Sequence, residues 1–183
     1  MPSFVMHIAI AKEYVKKHKD DIKNLDEFIK GTIAPDLAKN KNITHYGEWN
    51  NNITEIVFEN FLEDNNNIHN TDYFKGYFLH LLADDFTYNN FLKKEYDYIK
   101  KEDAFDIAYE EFYYLNKVLI PKYEIYDLPK EIENYSQIKN GECKYLKVDK
   151  IIDMIEEISN INLEEQIDNI RKNGNPKYNL KEV

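Results

Sequence analysis

The sequence holds a single cysteine, Cys143, so no disulfide can close within the chain and no thiolate zinc site can form. Glycine and proline are scarce, five of each. All-β proteins need those residues in their turns, and no convincing period-2 series of strands is present, so the composition argues against a sandwich or barrel. No run approaches the roughly 20 apolar residues of a membrane span. The opening Met-Pro-Ser-Phe-Val-Met-His lacks the charged n-region and apolar stretch of a signal peptide. A cytoplasmic location is the resulting expectation. Basic residues are outnumbered, 24 Lys and Arg against 34 Asp and Glu, for a formal net charge of −10. Such a surface repels nucleic-acid backbones and anionic bilayers, and no basic run with interleaved aromatics offsets it. Stable nucleic-acid binding is therefore not expected.

What is present suits one helical domain over residues 1–183. Hydrophobic residues make up 43%, enough to bury a single core. Fifteen Tyr and ten Phe imply a core with a wet rim, because each tyrosine brings a hydroxyl that wants a partner. Ser3 can cap a first helix to about Lys19, with the apolar stripe Phe4, Ile8, Ala11 and Val15. Asn24 and Glu27 resemble a capping box for a short helix over 25–30, which Gly31 would stop. Pro35 disfavours helical geometry at Ala34, so residues 31–52 read as an irregular loop. A short amphipathic helix is expected over 53–62, followed by an exposed, Asn-rich loop over 63–70. Thr71 can cap a strong helix to about Leu92. Further helices are expected near 102–120, 148–159 and 162–172, with a short one after Pro129. The fold class is all-α, a single-domain bundle of about six or seven helices.

The sharpest chemical feature is His80-Leu-Leu-Ala-Asp84 within the strong helix. A spacing of four turns a helix by about 400°, so imidazole and carboxylate share a face one turn apart. Both lie on the stripe of Tyr73, Tyr77, Thr87 and Phe91, where an ionisable pair needs a partner. That partner is either a cation or the other member of the pair, as a plain buried hydrogen bond. Asp85 adds a further carboxylate, supporting or solvated. His7 sits on the first helix's apolar stripe, where a lone histidine is more often a core residue bonded to backbone. Asp36 and His45, on the loop, read singly as a turn aspartate and an exposed histidine. Together the five residues change that balance. Three histidines and two aspartates without cysteine suit Zn2+ in a site with an open position, or Fe2+ or Mn2+. Of the other histidines, His18 lies about 16 Å along the first helix from His7 and reads as surface, and His69 as an exposed loop residue. Tyr46, Trp49 and Tyr88 flank the candidates and suit either a pocket wall or core packing.

The motifs Met-Pro-x4-His7, Gly31-x-Ile-Ala-Pro-Asp36, Thr44-His45-Tyr46 and Gly76-Tyr-Phe-Leu-His80-Leu-Leu-Ala-Asp84, in that order, resemble the zinc-dependent phospholipase C family, distant kin of the P1/S1 nucleases. The resemblance covers about residues 1–92. It implies an all-α fold and a zinc cluster that hydrolyses phosphoesters. On the matching positions, Asp36, His45, His80 and Asp84 would hold one ion, and Asp84 would bridge to a second held by His7. Asp36 would also orient the attacking water. The family's remaining zinc needs a histidine after the bridging aspartate. Asn90 stands there instead, and no histidine follows His80. That site is absent, or rebuilt from carboxylates such as Asp103, Asp106 and Glu110, for which a solvated acidic face is the plainer reading. The resulting expectation is a hydrolase using one or two ions on a small phosphoester or a phospholipid head group. A helical module with a structural metal, or with a partner-binding role, is the alternative.

Overall fold

The computed structural model describes residues 3–50, 53–92, 104–135 and 138–178. In chain order its helices are α1 (Phe4–Lys17), α2 (Leu25–Leu37), α3 (Lys41–Thr44), α4 (Phe58–Asp64), α5 (Asp72–Asp85), α6 (Ala104–Lys122), α7 (Val148–Ser159) and α8 (Leu163–Asn173). A 3-10 turn at Asn66–Ile68 precedes α5, a π-helical segment at Phe86–Leu92 prolongs it, and a further 3-10 turn spans Lys130–Tyr135. The all-α expectation holds, with eight α-helices among the described residues, one of them a single turn. None is long and apolar enough to cross a membrane.

The expected caps are in place. The Ser3 hydroxyl accepts the Met6 amide at 3.3 Å, Asn24 accepts Glu27 at 3.2 Å, and Thr71 accepts Phe74 at 3.2 Å. From Phe4 to Ala11, helix α1 is buried all round rather than along one stripe: Val5, Met6, Ala9, Ile10 and Ala11 are all core residues. A helix apolar on every side belongs at the centre of a bundle, and α1 packs against α2, α5, α6 and α7. Below it, Phe61, Phe74 and Phe78 stack as one aromatic layer, with ring centroids 5.1 to 6.0 Å apart.

Three sequence expectations are corrected. Helix α2 does not stop at Gly31 but runs through Pro35 to Leu37. Tertiary packing overrides the local signals. A Cβ on Gly31 would overlap the Tyr73 carbonyl, and one on Gly76 would overlap the Phe28 carbonyl, so two glycines let α2 and α5 touch backbone to backbone. Burial of Phe28, Thr32 and Ile33 along that contact holds the helix past the proline. Residues 47–56, expected as loop and helix, form an antiparallel hairpin of β1 (Gly47–Asn50) and β2 (Ile53–Ile56), with Gly47 opposite Ile56 and Glu48 opposite Glu55. The β-branched residues of Ile53-Thr54-Glu55-Ile56 favour that extended form. The expected helix therefore begins only at Phe58. The strong helix from Thr71 does reach Leu92 as expected, α-helical to Asp85 and π-helical beyond it.

Candidate metal centre

Four separate elements deliver the five candidate residues to one point. His7 comes from the second turn of α1 and Asp36 from the last turn of α2. His45 is the residue that caps α3, and His80 and Asp84 lie one turn apart on α5. Asp36 lies in a helix rather than in the expected loop, and His45, in the turn after α3, is buried rather than exposed. All five are buried, none more than 7% exposed. Asp84 is the hub: its Oδ1 lies 3.3 Å from His7 Nε2, and its Oδ2 lies 3.4 Å from His45 Nε2 and 3.5 Å from His80 Nε2. Asp36 stands opposite, with Oδ1 3.5 Å from His45 Nε2 and Oδ2 4.0 Å from His7 Nε2. The His7 and His80 rings stack with centroids 3.8 Å apart.

Local structure aims these side chains. The α2–α5 contact at Gly31 and Gly76 brings the Thr32 carbonyl within 2.7 Å of His80 Nδ1. Only a protonated nitrogen can bond to a carbonyl, so Nδ1–H donates and Nε2 is turned inward. His45 repeats the device, its Nδ1–H donating to the Lys41 carbonyl at 2.8 Å. This is the arrangement that orients metal-binding imidazoles generally. The segment bearing His45 is itself pinned. The Thr44 hydroxyl donates to the Pro35 carbonyl at 2.8 Å, and the Tyr77 hydroxyl donates to the Thr44 carbonyl at 2.6 Å. Tyr46 then takes φ +54°, a left-handed conformation unusual for a tyrosine, and turns the chain sharply into β1. Its ring is held edge-on to Phe61, and its hydroxyl accepts from Asn65 at 3.1 Å.

Burial and mutual charge oppose one another in this cluster. Burial, followed by the charge of His80, pushes the His7 imidazole below its ordinary value of 6.5. Burial also opposes charge on His80, but the Asp84 carboxylate, then Asp36 and the Thr32 carbonyl, raise it overall. Burial likewise disfavours ionised Asp36 and Asp84. Yet the neighbouring imidazoles, His45 at 3.5 Å with His80 and His7 nearby, hold Asp36 below the carboxylate range, and chiefly His80 does the same for Asp84. Both ring nitrogens of His7 and both oxygens of Asp84 are buried without an aligned hydrogen bond, although they face one another. A buried polar atom left so costs about 1–3 kcal/mol, and three of the four, His7 Nε2 and the two Asp84 oxygens, lie where one cation could satisfy them. His7, His80 and Asp84 form one group that could hold a metal ion, and Asp36, His45 and His80 form another.

The remaining sequence candidates lie elsewhere. Asp85 is half-buried and accepts from Tyr178 at 2.8 Å and Asn89 at 2.7 Å. Burial raises its carboxyl despite those donors. His18 is not simply surface: its ring stacks on Tyr14 at 4.2 Å and bonds to the Ser159 carbonyl at 3.1 Å. His69 is exposed, as expected. Glu110 is exposed and accepts from Tyr114 at 2.7 Å. Asp103 and the side chains of Asp106 and Trp49 lie outside the described residues. Tyr88 is buried. The sequence reading missed Thr32, Tyr77 as an anchor, and Lys41, whose ammonium sits 3.1 Å from Asp36 Oδ1. Only Tyr77 carried a signal, its place on the His80 stripe. Compared with known protein families, curated proteins and solved structures, the chain matches none.

Proposed function

We propose that the chain is a metal-dependent hydrolase of phosphoesters, phospholipase C-like in its motifs. The observation that carries this reading is the hub, where His7 and Asp84 bury four unsatisfied polar atoms amid three further ligand-type side chains. The neighbouring donor atoms stand 3.1 to 4.0 Å apart. Four donors about 2.1 Å from one ion would stand about 3.4 Å from each other. These spacings suit an ion held by His7, His80 and Asp84, and one held by Asp36, His45 and His80, with His80 common to both groups, so the centre would take one or two ions. Neutral imidazole with carboxylate favours Zn2+, with Fe2+ and Mn2+ as alternatives. Such an ion would polarise a phosphoryl oxygen and make an attacking water more acidic.

The chain's own groups supply the rest of the reading. Asp36 is the most exposed of the five and borders the half-exposed Lys41, so it is the carboxylate best placed to orient a water against an incoming substrate. A small, soluble phosphoester is favoured over a lipid still in its bilayer, because the net charge of −10 would slow approach to anionic membranes. A cytoplasmic setting accords with the single cysteine. The test is to quantify metal in the purified protein and assay a panel of phosphodiesters and phosphomonoesters. Absence of metal, or full turnover by His80→Ala, would refute the proposal.

A second reading has its own support. The burial of His45, His80 and Asp84 is also what a purely structural ion would need. Melting with and without chelator, run beside the same panel, separates the two. Metal-dependent stability with no turnover under any metal favours the structural ion.

A further inference from the structure

Asp36 Oδ1 has two claimants. It lies 3.5 Å from His45 Nε2, within the donor cluster, and 3.1 Å from the ammonium of Lys41. The two differ sharply in exposure: the Asp36 side chain is 2% exposed, whereas that of Lys41 is 38% exposed. Lys41 therefore reaches inward from the surface to a carboxylate at the edge of the centre. Its backbone is fixed independently, because its carbonyl accepts from His45 and from the Thr44 hydroxyl. The long side chain can thus swing without disturbing His45.

Charge counting gives this geometry a consequence. Two carboxylates and a divalent ion among neutral imidazoles sum to zero. An ammonium about 3 Å from a coordinating oxygen is then surplus positive charge, poorly screened on its buried side. Either the lysine resists the ion or it leaves Asp36 for an anion. Resting on the reading of this centre as a metal site, we propose that Lys41 is its anion-receiving residue. It competes with the ion for Asp36 while no anion is present, and binds the oxyanion of a phosphate group once the ion is in place. Phosphate bound across ion and lysine would then tighten ion binding, and the ion would tighten phosphate binding by the same factor.

The experiment measures Zn2+ affinity by competition with a chromophoric chelator, with and without inorganic phosphate, in the wild-type protein, Lys41→Met and Lys41→Arg. Methionine keeps the apolar stem and removes the charge. Without phosphate, Lys41→Met is expected to bind Zn2+ about fivefold more tightly than the wild type, the size of one partly exposed charge pair. Phosphate should tighten Zn2+ binding by the wild type and Lys41→Arg, and leave Lys41→Met unchanged. A soluble phosphodiester and phosphatidylcholine vesicles, run as further arms, identify the source of the group: tightening by the diester alone indicates a soluble ester, and by both a lipid head group. Equal behaviour of wild type and Lys41→Met would overturn the proposal. So would weaker Zn2+ binding by Lys41→Met, which would make the lysine a latch for the His45 segment. Failure of the wild type to bind any divalent ion would instead remove the metal reading itself, and the role of Lys41 with it.

Discussion

The Nε2 atoms of His45 and His80 stand 3.1 Å apart, while each ring donates its Nδ1–H to a backbone carbonyl. Two inward lone pairs at that separation repel unless a proton or a cation lies between them. His80, raised above 6.5 by its acidic neighbours, is the ring that keeps the proton when no ion is bound. The sign of the pH effect follows. A raised imidazole stabilises the ion-free fold below its unfolded value, and that contribution is lost as pH rises through the folded value. A bound ion requires the same ring neutral, so its contribution grows with pH. The gap in Tm between the zinc-loaded and chelated protein should widen from about pH 6 to 8. Scanning calorimetry of both forms across that range checks this; a gap independent of pH would contradict the proton's place on His80.

Gly31→Ala should damage the fold and the centre together. The new methyl would overlap the Tyr73 carbonyl, which belongs to backbone and cannot rotate away. Helices α2 and α5 must part, at a cost of about 1–3 kcal/mol by analogy with overpacked cores. Because α2 carries Asp36 and α5 carries His80 and Asp84, metal affinity should fall as well. An exposed control such as Lys30→Ala should change neither quantity measurably. Denaturant titration and chelator competition on the same samples give both readouts.

Much of the fold was legible because its signals are local. The caps at Ser3, Asn24 and Thr71, and the four-residue spacing of His80 and Asp84, depend on one or two turns of chain, and the structure realises each of them. Signals whose outcome depends on a distant partner misled. Gly31 and Pro35 read as helix breakers, but Gly31 is a contact point for α5, and the packing there carries α2 to Leu37. The hairpin at 47–56 was hidden because four-residue strands leave too few alternations to read. Asp36 and His45 were legible as candidate ligands only in combination with His7, His80 and Asp84 and through the family resemblance. Their burial comes from the α2–α5 contact and the Tyr77–Thr44 bond, which no local pattern encodes. Lys41 gave no signal, since a lysine beside asparagines reads as solvated surface.

Tyr77→Phe isolates one of those long-range ties. The ring sits against Phe61 and Tyr46, and its hydroxyl donates to the Thr44 carbonyl at 2.6 Å. Phenylalanine keeps the packing and removes the bond, so the loss of stability should be only about 0.5–1.5 kcal/mol. The effect on metal should be larger in proportion. Thr44 precedes His45, and loss of a supporting contact to a ligand typically costs about 10–100-fold in affinity. A small shift in denaturant midpoint with a clear fall in Zn2+ affinity is the expected pair of results. Unchanged affinity would mean that the Thr44–Pro35 bond alone fixes His45.

Chelation is the most direct probe of whether the cluster's cohesion depends on an ion. Without one, His7 and Asp84 retain four buried atoms with no aligned hydrogen bond, and Asp36 and Asp84 retain charge that burial opposes. An ion that binds the folded chain alone adds about 2.7 kcal/mol at a hundredfold excess over its Kd, and about 4.1 kcal/mol at a thousandfold. At about 2–4 °C per kcal/mol for a domain of this size, chelator should lower Tm by roughly 5–15 °C. His80→Ala supplies the control. It removes the ligand common to both possible donor groups, so its melting temperature should be low already and insensitive to chelator. Equal sensitivity of the two proteins would place any stabilising ion somewhere other than this cluster.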